Sequence, residues 1–194
     1  MFSGKWKEEL ITIPNLLSLF RIALIPLYLR VYYSPDPETH FLLAGFVLTV
    51  SCVTDLADGI IARKFHQITN VGKVLDPLAD KLTQLVLILS LASRFPLLYP
   101  VLVLFLTKES FQFCALLFFA QKGKVLPGAL PAGKLCTTVL FVSLILLVLF
   151  PQMHPYLVMF LTIADTGFLL YSFDRYLAAY FGSHKELRDF NPDE

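Results

Sequence analysis

The amino-acid sequence predicts an all-α polytopic membrane protein: six transmembrane helices behind a short N-terminal interfacial helix. Three observations carry that prediction. Of the 194 residues, 56% are hydrophobic before nine glycines are added, and only 16% are charged; soluble domains hold roughly 45–50% apolar residues with glycine included and about 25% charged. A soluble domain of this size could not hide the excess, because it must still cover its surface with polar groups. The apolar residues also fall in continuous runs, without the alternation of barrel strands. Each of six runs is long enough to cross a hydrocarbon core of about 30 Å as a helix.

The first ten residues, MFSGKWKEEL, are too polar for the apolar core of a signal peptide, so the first run is expected to be retained. Trp6 among Lys5, Lys7, Glu8 and Glu9 suits an interfacial helix. The spans are placed at 15–33, 41–64, 75–94, 97–120, 132–150 and 155–179. No repeat or low-complexity linker interrupts them, and residues 1–194 are taken as a single domain. Six spans put both termini on the side of the 65–74 and 121–131 loops. That side collects Lys5, Lys7, Arg63, Lys64, Lys73, Lys122, Lys124, Lys134, Lys185 and Arg188, whereas the opposite side has little beyond Arg30 and Arg94. By the positive-inside rule both termini face the cytoplasm. A formal net charge of +1 gives no basic field for nucleic acid. Cys52, Cys114 and Cys136 lie apart in apolar runs and read as small buried hydrophobes.

Four acids do not belong in such a chain unless they have work to do. Asp55 and Asp58 are three residues apart on the second span, and Asp76 and Asp80 four apart at the start of the third. Each pair shares a helical face. A short loop joins the two helices, so all four carboxylates can converge. Each ionised carboxylate in hydrocarbon costs roughly 2.5–3.5 kcal/mol on insertion scales, and four together also repel. Either most of them are protonated, or cations sit between them. Oxygen ligands with no neighbouring His or Cys point to Mg²⁺ or Mn²⁺, and four carboxylates suit a two-metal site that clamps a phosphate or pyrophosphate. Gly59, Ala62 and Gly72, lying between the pairs, leave room for a bulky ligand or for close helix contact.

The run Asp55-Leu-Ala-Asp58-Gly59-Ile-Ile-Ala62-Arg63, eight residues, then Gly72-Lys-Val-Leu-Asp76-Pro-Leu-Ala-Asp80 resembles the signature of the CDP-alcohol phosphatidyltransferases at every fixed position. Pro14-Asn15 followed by Arg21 in the first span extends the likeness. The resemblance implies a membrane enzyme, with a cytoplasmic site, that exchanges an alcohol for CMP on CDP-diacylglycerol. It assigns Asp55, Asp58 and Asp76 to the metals, with Asp80 completing the site and acting as catalytic base toward the acceptor hydroxyl. Gly59, Ala62, Arg63 and Gly72 would contact the CDP-lipid, Arg63 either pairing with phosphate or anchoring the interface. A homodimer in the cell membrane is implied too.

For the acceptor, the runs IPNLLSLFRIALIP and GKVLDPLADK, and Lys108-Glu109 with Gly133-Lys134, resemble the branch of the family that uses glycerol 3-phosphate and forms phosphatidylglycerophosphate. Lys108 and Lys134 would then hold the acceptor. Two departures stand out: Lys108 replaces an arginine, giving a point charge for a bidentate fork, and Leu116 stands where that branch has a second arginine. An apolar Leu116 suits the alternative acceptor, phosphatidylglycerol, giving a CMP-forming cardiolipin synthase. From another class, a divalent-cation transporter also needs intramembrane carboxylates, but the acids cluster at one end, with only Asp165 and Asp174 further along. Those two are read as helix-packing or interface groups, and His40, His66, His154 and His184 as surface residues. Glu109 is either a local ion-pair partner of Lys108 or a polar wall of the substrate cavity.

Overall fold

The structure is a computed structural model that describes residues 12–34, 40–64, 69, 71–121, 124–125, 130–181 and 188–189. Among them stand six long helices: α1 (Ile13–Tyr32), α2 (His40–Lys64), α3 (Gly72–Ala92), α4 (Tyr99–Gln121), α5 (Pro131–Leu149) and α6 (Pro155–Phe181). They coincide with the six apolar runs to within a few residues. The expected interfacial helix lies outside the described residues. Prolines mark the borders. Pro14 sits in the first turn of α1, Pro131 and Pro155 open α5 and α6, and Pro96 opens a 3₁₀ turn (Pro96–Leu98) ahead of α4. At a helix start the missing proline N–H would have had no partner anyway. Thr12 enters α1 in extended conformation (φ −92°, ψ 151°).

Among the described residues, four helical stretches are long and apolar enough to cross a membrane: Ile13–Tyr32, Pro96–Phe119, Pro131–Leu149 and Pro155–Tyr180. α2 contributes a shorter apolar stretch, Phe41–Asp55. The polar ends of α2 and α3, where the four aspartates fall, lower the hydropathy of both. Exposure is inverted relative to a soluble protein. Leu42, Phe46, Val103, Phe160 and Ile163 are each more than 60% exposed, while Asn15, Ser18, Arg21, Lys108 and Asp165 are 2% exposed or less. Only a lipid surround makes that arrangement favourable. The chain is a polytopic all-α membrane protein.

It divides into two compact units, residues 1–91 with 145–151, and residues 92–144 with 152–194. In the first, α1 packs along α2; Leu24, Leu48, Leu87 and Ile88 are buried, and the Tyr28 hydroxyl meets Ser90 Oγ at 3.0 Å. Gly45 lets Leu149 approach so closely that a Cβ there would stand 2.5 Å from its Cδ2. In the second, α4 packs against α6 through Ala115, Phe119, Tyr176 and Tyr180, with Phe111 against them. Phe111 stacks on Tyr180 at 6.0 Å between centroids. A two-residue antiparallel pair, Lys124–Val125 with Arg188–Asp189, is present as well. It joins the polar segments after α4 and α6, and is far too short to span a bilayer.

Candidate active site

The first unit brings three of the four predicted aspartates together. Asp55 arrives from α2, and Asp76 and Asp80 from one face of α3; their nearest carboxylate oxygens all lie within 4.8 Å of one another. A residue from a third helix joins them. Arg21 on α1 pairs through Nη1 with Asp55 Oδ1 at 2.5 Å and with Asp80 Oδ1, and through Nη2 with Asp76 Oδ1. Its side chain is 3% exposed, whereas those of the three aspartates are 43–45% exposed. The guanidinium therefore closes the inner side of the cluster, and the carboxylates keep an open outer side. Ser18, one turn before Arg21, lies 3.4 Å from Asp76 Oδ1 and 3.5 Å from Arg21 Nη2. A planar guanidinium with five donors can serve several carboxylates at once, which a lysine cannot.

A second tie fixes α1 against the start of α3. Thr69 Oγ1 accepts from the Gly72 backbone N–H at 2.9 Å and from Asn15 Nδ2 at 2.9 Å. The hydroxyl satisfies one of the orphan amides of the α3 N-terminus while holding Asn15, which is 1% exposed. Gly72 is needed there: a Cβ would stand 2.5 Å from Asn15 Oδ1 and 3.0 Å from Thr69 Oγ1. Its small size admits α1, so the structure places Gly72 in the helix contact that positions Asp76 and Asp80. Asp58, Gly59, Ala62 and Arg63 ride on the last turns of α2, and their side chains lie outside the described residues.

The donor set of the cluster is oxygen only. Three carboxylate oxygens at that separation, open on one side, fit a hard divalent cation such as Mg²⁺ or Mn²⁺. Arg21 balances part of their charge.

The second unit holds the predicted acceptor residues. Lys108 is 2% exposed; its Nζ donates to Glu109 Oε1 at 2.7 Å and to Gln112 Oε1 at 2.9 Å, and lies 5.5 Å from the centroid of the Tyr176 ring. The local ion pair is thus present, and two of the three ammonium protons are engaged on Lys108's own helix. The Tyr176 hydroxyl accepts from the Leu130 N–H at 3.3 Å, and Gly133 makes room for it, since a Cβ would come 2.5 Å from that oxygen. Lys134 is exposed in the first turn of α5, where its carbonyl accepts from Thr137 and Thr138. Tyr176 and Gln112 were not singled out in the sequence. Neither was a role for Arg21, although Asn15, Ser18 and Arg21 recur every three residues as a polar stripe in an apolar helix, which is a readable signal.

Long apolar helices, and a carboxylate cluster that α2 and α3 build within the first unit, define a polytopic membrane protein with a candidate hard-cation site. Residues 11–168 match the family described as CDP-alcohol phosphatidyltransferase, and the chain belongs to that family. Over 69 residues it is 46% identical to the CDP-diacylglycerol–glycerol-3-phosphate 3-phosphatidyltransferase of Escherichia coli strain K12, a stretch covering 36% of this chain and 37% of the relative. The same figures hold for the enzymes so named from Shigella flexneri serotype 5b (strain 8401) and Shigella sonnei (strain Ss046). The match spans little more than a third of the length of these curated relatives.

Proposed function

We propose that this protein transfers the phosphatidyl group of CDP-diacylglycerol to an alcohol, releasing CMP, with residues 1–194 acting as one catalytic domain. The observation that carries the reading is the convergence of Asp55, Asp76 and Asp80 from the two halves of the family signature. Asp55, Asp58 and Asp76 hold Mg²⁺ or Mn²⁺, and Asp80 completes the ligand set. When bound, the metal ions supply neutralisation of the pyrophosphate and stabilisation of the departing CMP. The remaining steps belong to the chain. Gly59 and Ala62 leave space for the cytidine and ribose, and Arg63 meets a phosphate or the headgroup layer. Asp80 takes the proton of the acceptor hydroxyl as its oxygen bonds to the phosphatidyl phosphorus and the bond from that phosphorus to CMP breaks.

Glycerol 3-phosphate is the acceptor we favour, supported by the activity for which the relatives are named, with Lys108 and Lys134 as its phosphate contacts. One observation favours phosphatidylglycerol instead: Lys108 is already engaged by Glu109 and Gln112, and Leu116 offers no charge. The lysine and arginine distribution supports a cytoplasmic-membrane protein with the site facing the cytoplasm, and the family likeness supports a homodimer. The test is purified protein with CDP-diacylglycerol and each alcohol in turn, reading CMP release. Release with glycerol 3-phosphate alone supports the favoured reading. Release with phosphatidylglycerol alone moves the assignment to the runner-up, and no CMP with any alcohol overturns the transferase reading. Divalent-cation flux in proteoliposomes without CMP release would identify a transporter.

A further inference from the structure

Arg21 sits where a bound cation would have to make its case. The acids it bridges are 34, 55 and 59 residues away in the chain, on two other helices. α1 itself contributes none of the clustered carboxylates. The guanidinium is sealed on the inner side at 3% exposure, and the aspartates open outward at 43–45%. Ser18 braces both Arg21 and Asp76 from the same helix face. One positive charge thus stands against three negative ones, which holds the cluster together without saturating it.

We propose that Arg21 is the resident counter-cation of the acidic site: it gathers Asp55, Asp76 and Asp80 when no metal is bound, and gives up part of those contacts as divalent ions enter from the open side. The proposal rests on the reading of the cluster as a metal site. Two physical facts drive it. A dication among the carboxylates places positive charge beside the guanidinium, and like charges at such range disfavour one another. A carboxylate oxygen committed to a charge-assisted hydrogen bond must also weaken that bond to ligate a metal. Arg21 therefore competes with metal, and it keeps the empty site from flying apart. It is a positioning residue with a cost in metal affinity built in.

The experiment is a Mn²⁺ titration of the purified full-length protein, following free Mn²⁺ by electron paramagnetic resonance, with thermal unfolding recorded with and without Mn²⁺. Wild type is compared with Arg21→Gln and Arg21→Lys. Arg21→Gln is expected to bind Mn²⁺ at least tenfold more tightly. It should unfold at a lower temperature when metal-free, and gain more from added Mn²⁺ than wild type does, because stabilisation by a ligand rises with the logarithm of its affinity. Arg21→Lys, which keeps the charge but cannot bridge three acids, should bind with intermediate affinity. Equal or weaker Mn²⁺ binding in Arg21→Gln overturns the proposal, since the guanidinium would then organise the ligands for metal. If Arg21→Gln does not fold, Arg21→Lys decides, tighter binding than wild type supporting the proposal and equal or weaker binding overturning it. Absence of Mn²⁺ binding in wild type and every variant overturns the metal reading itself, and the counter-cation with it.

Discussion

Each unit buries a cation, and the two cations are held in opposite ways. Lys108 finds Glu109 and Gln112 one and four residues away on its own helix, so α4 satisfies it locally. Arg21 finds no acid on α1; all three of its aspartates come from α2 and α3. A local pair makes a helix tolerable in a bilayer and says little about its neighbours. The long-range set is complete only when three helices are in register. The second arrangement can organise a site, and its acids remain half-open to a ligand.

Asp76→Ala breaks the comparison hardest. It should abolish CMP release and weaken Mn²⁺ binding, and chelation of wild type should likewise stop release until Mg²⁺ or Mn²⁺ is restored. Full activity with metal absence confirmed analytically would sink the two-metal reading. Asp80→Asn comes next, with kcat expected to fall about 10²- to 10⁴-fold, the usual worth of a general base. More Mn²⁺ binding should survive in it than in Asp76→Ala, and normal turnover would show that the base is another group.

Lys108→Met tests the other side of the comparison. It should leave Mn²⁺ affinity as in wild type and raise KM for glycerol 3-phosphate about tenfold or more, because a charge-assisted contact is worth roughly 1.5–3 kcal/mol. KM for CDP-diacylglycerol should hardly move. An unchanged glycerol 3-phosphate KM would confine Lys108 to its local pair and remove it from the acceptor site. Gly72→Ala drives a methyl against Asn15 and Thr69, an overpacking expected to cost ~1–3 kcal/mol and to appear as a lower unfolding temperature. Ser18→Ala is the mildest change. It removes contacts of 3.4 and 3.5 Å, and about 0.5–1 kcal/mol of stability should go with them.

The helices were legible because membrane spans are written in consecutive residues, and prolines mark where several of them begin. The aspartates were legible for a related reason: spacings of three and four place acids on one helical face, and a short loop brings the two faces together. Arg21's part was not legible. Its partners lie 34 to 59 residues off, and no local spacing encodes which buried arginine meets which acids, though the stripe Asn15, Ser18, Arg21 marked the face that would. Gly72 reads in sequence as room for a bulky ligand or for close helix contact, and the structure shows the helix contact, with Asn15 against it, because a missing side chain looks the same in sequence whichever group takes the space. Lys108 with Glu109 was read both as a local pair and as substrate machinery, and the local pair is the part visible in its contacts.

The order of the helices along the chain carries one more consequence. A ribosome adds about 5–20 residues per second, so Arg21 is made roughly 3–12 s before Asp80, the last of its three partners. During that interval α1 carries an arginine whose insertion is unfavourable by roughly 2.5–3.5 kcal/mol at a bilayer centre. The hairpin of α2 and α3 brings the compensating acids. A nascent chain lacking those aspartates would leave its first span without the partners that pair with Arg21.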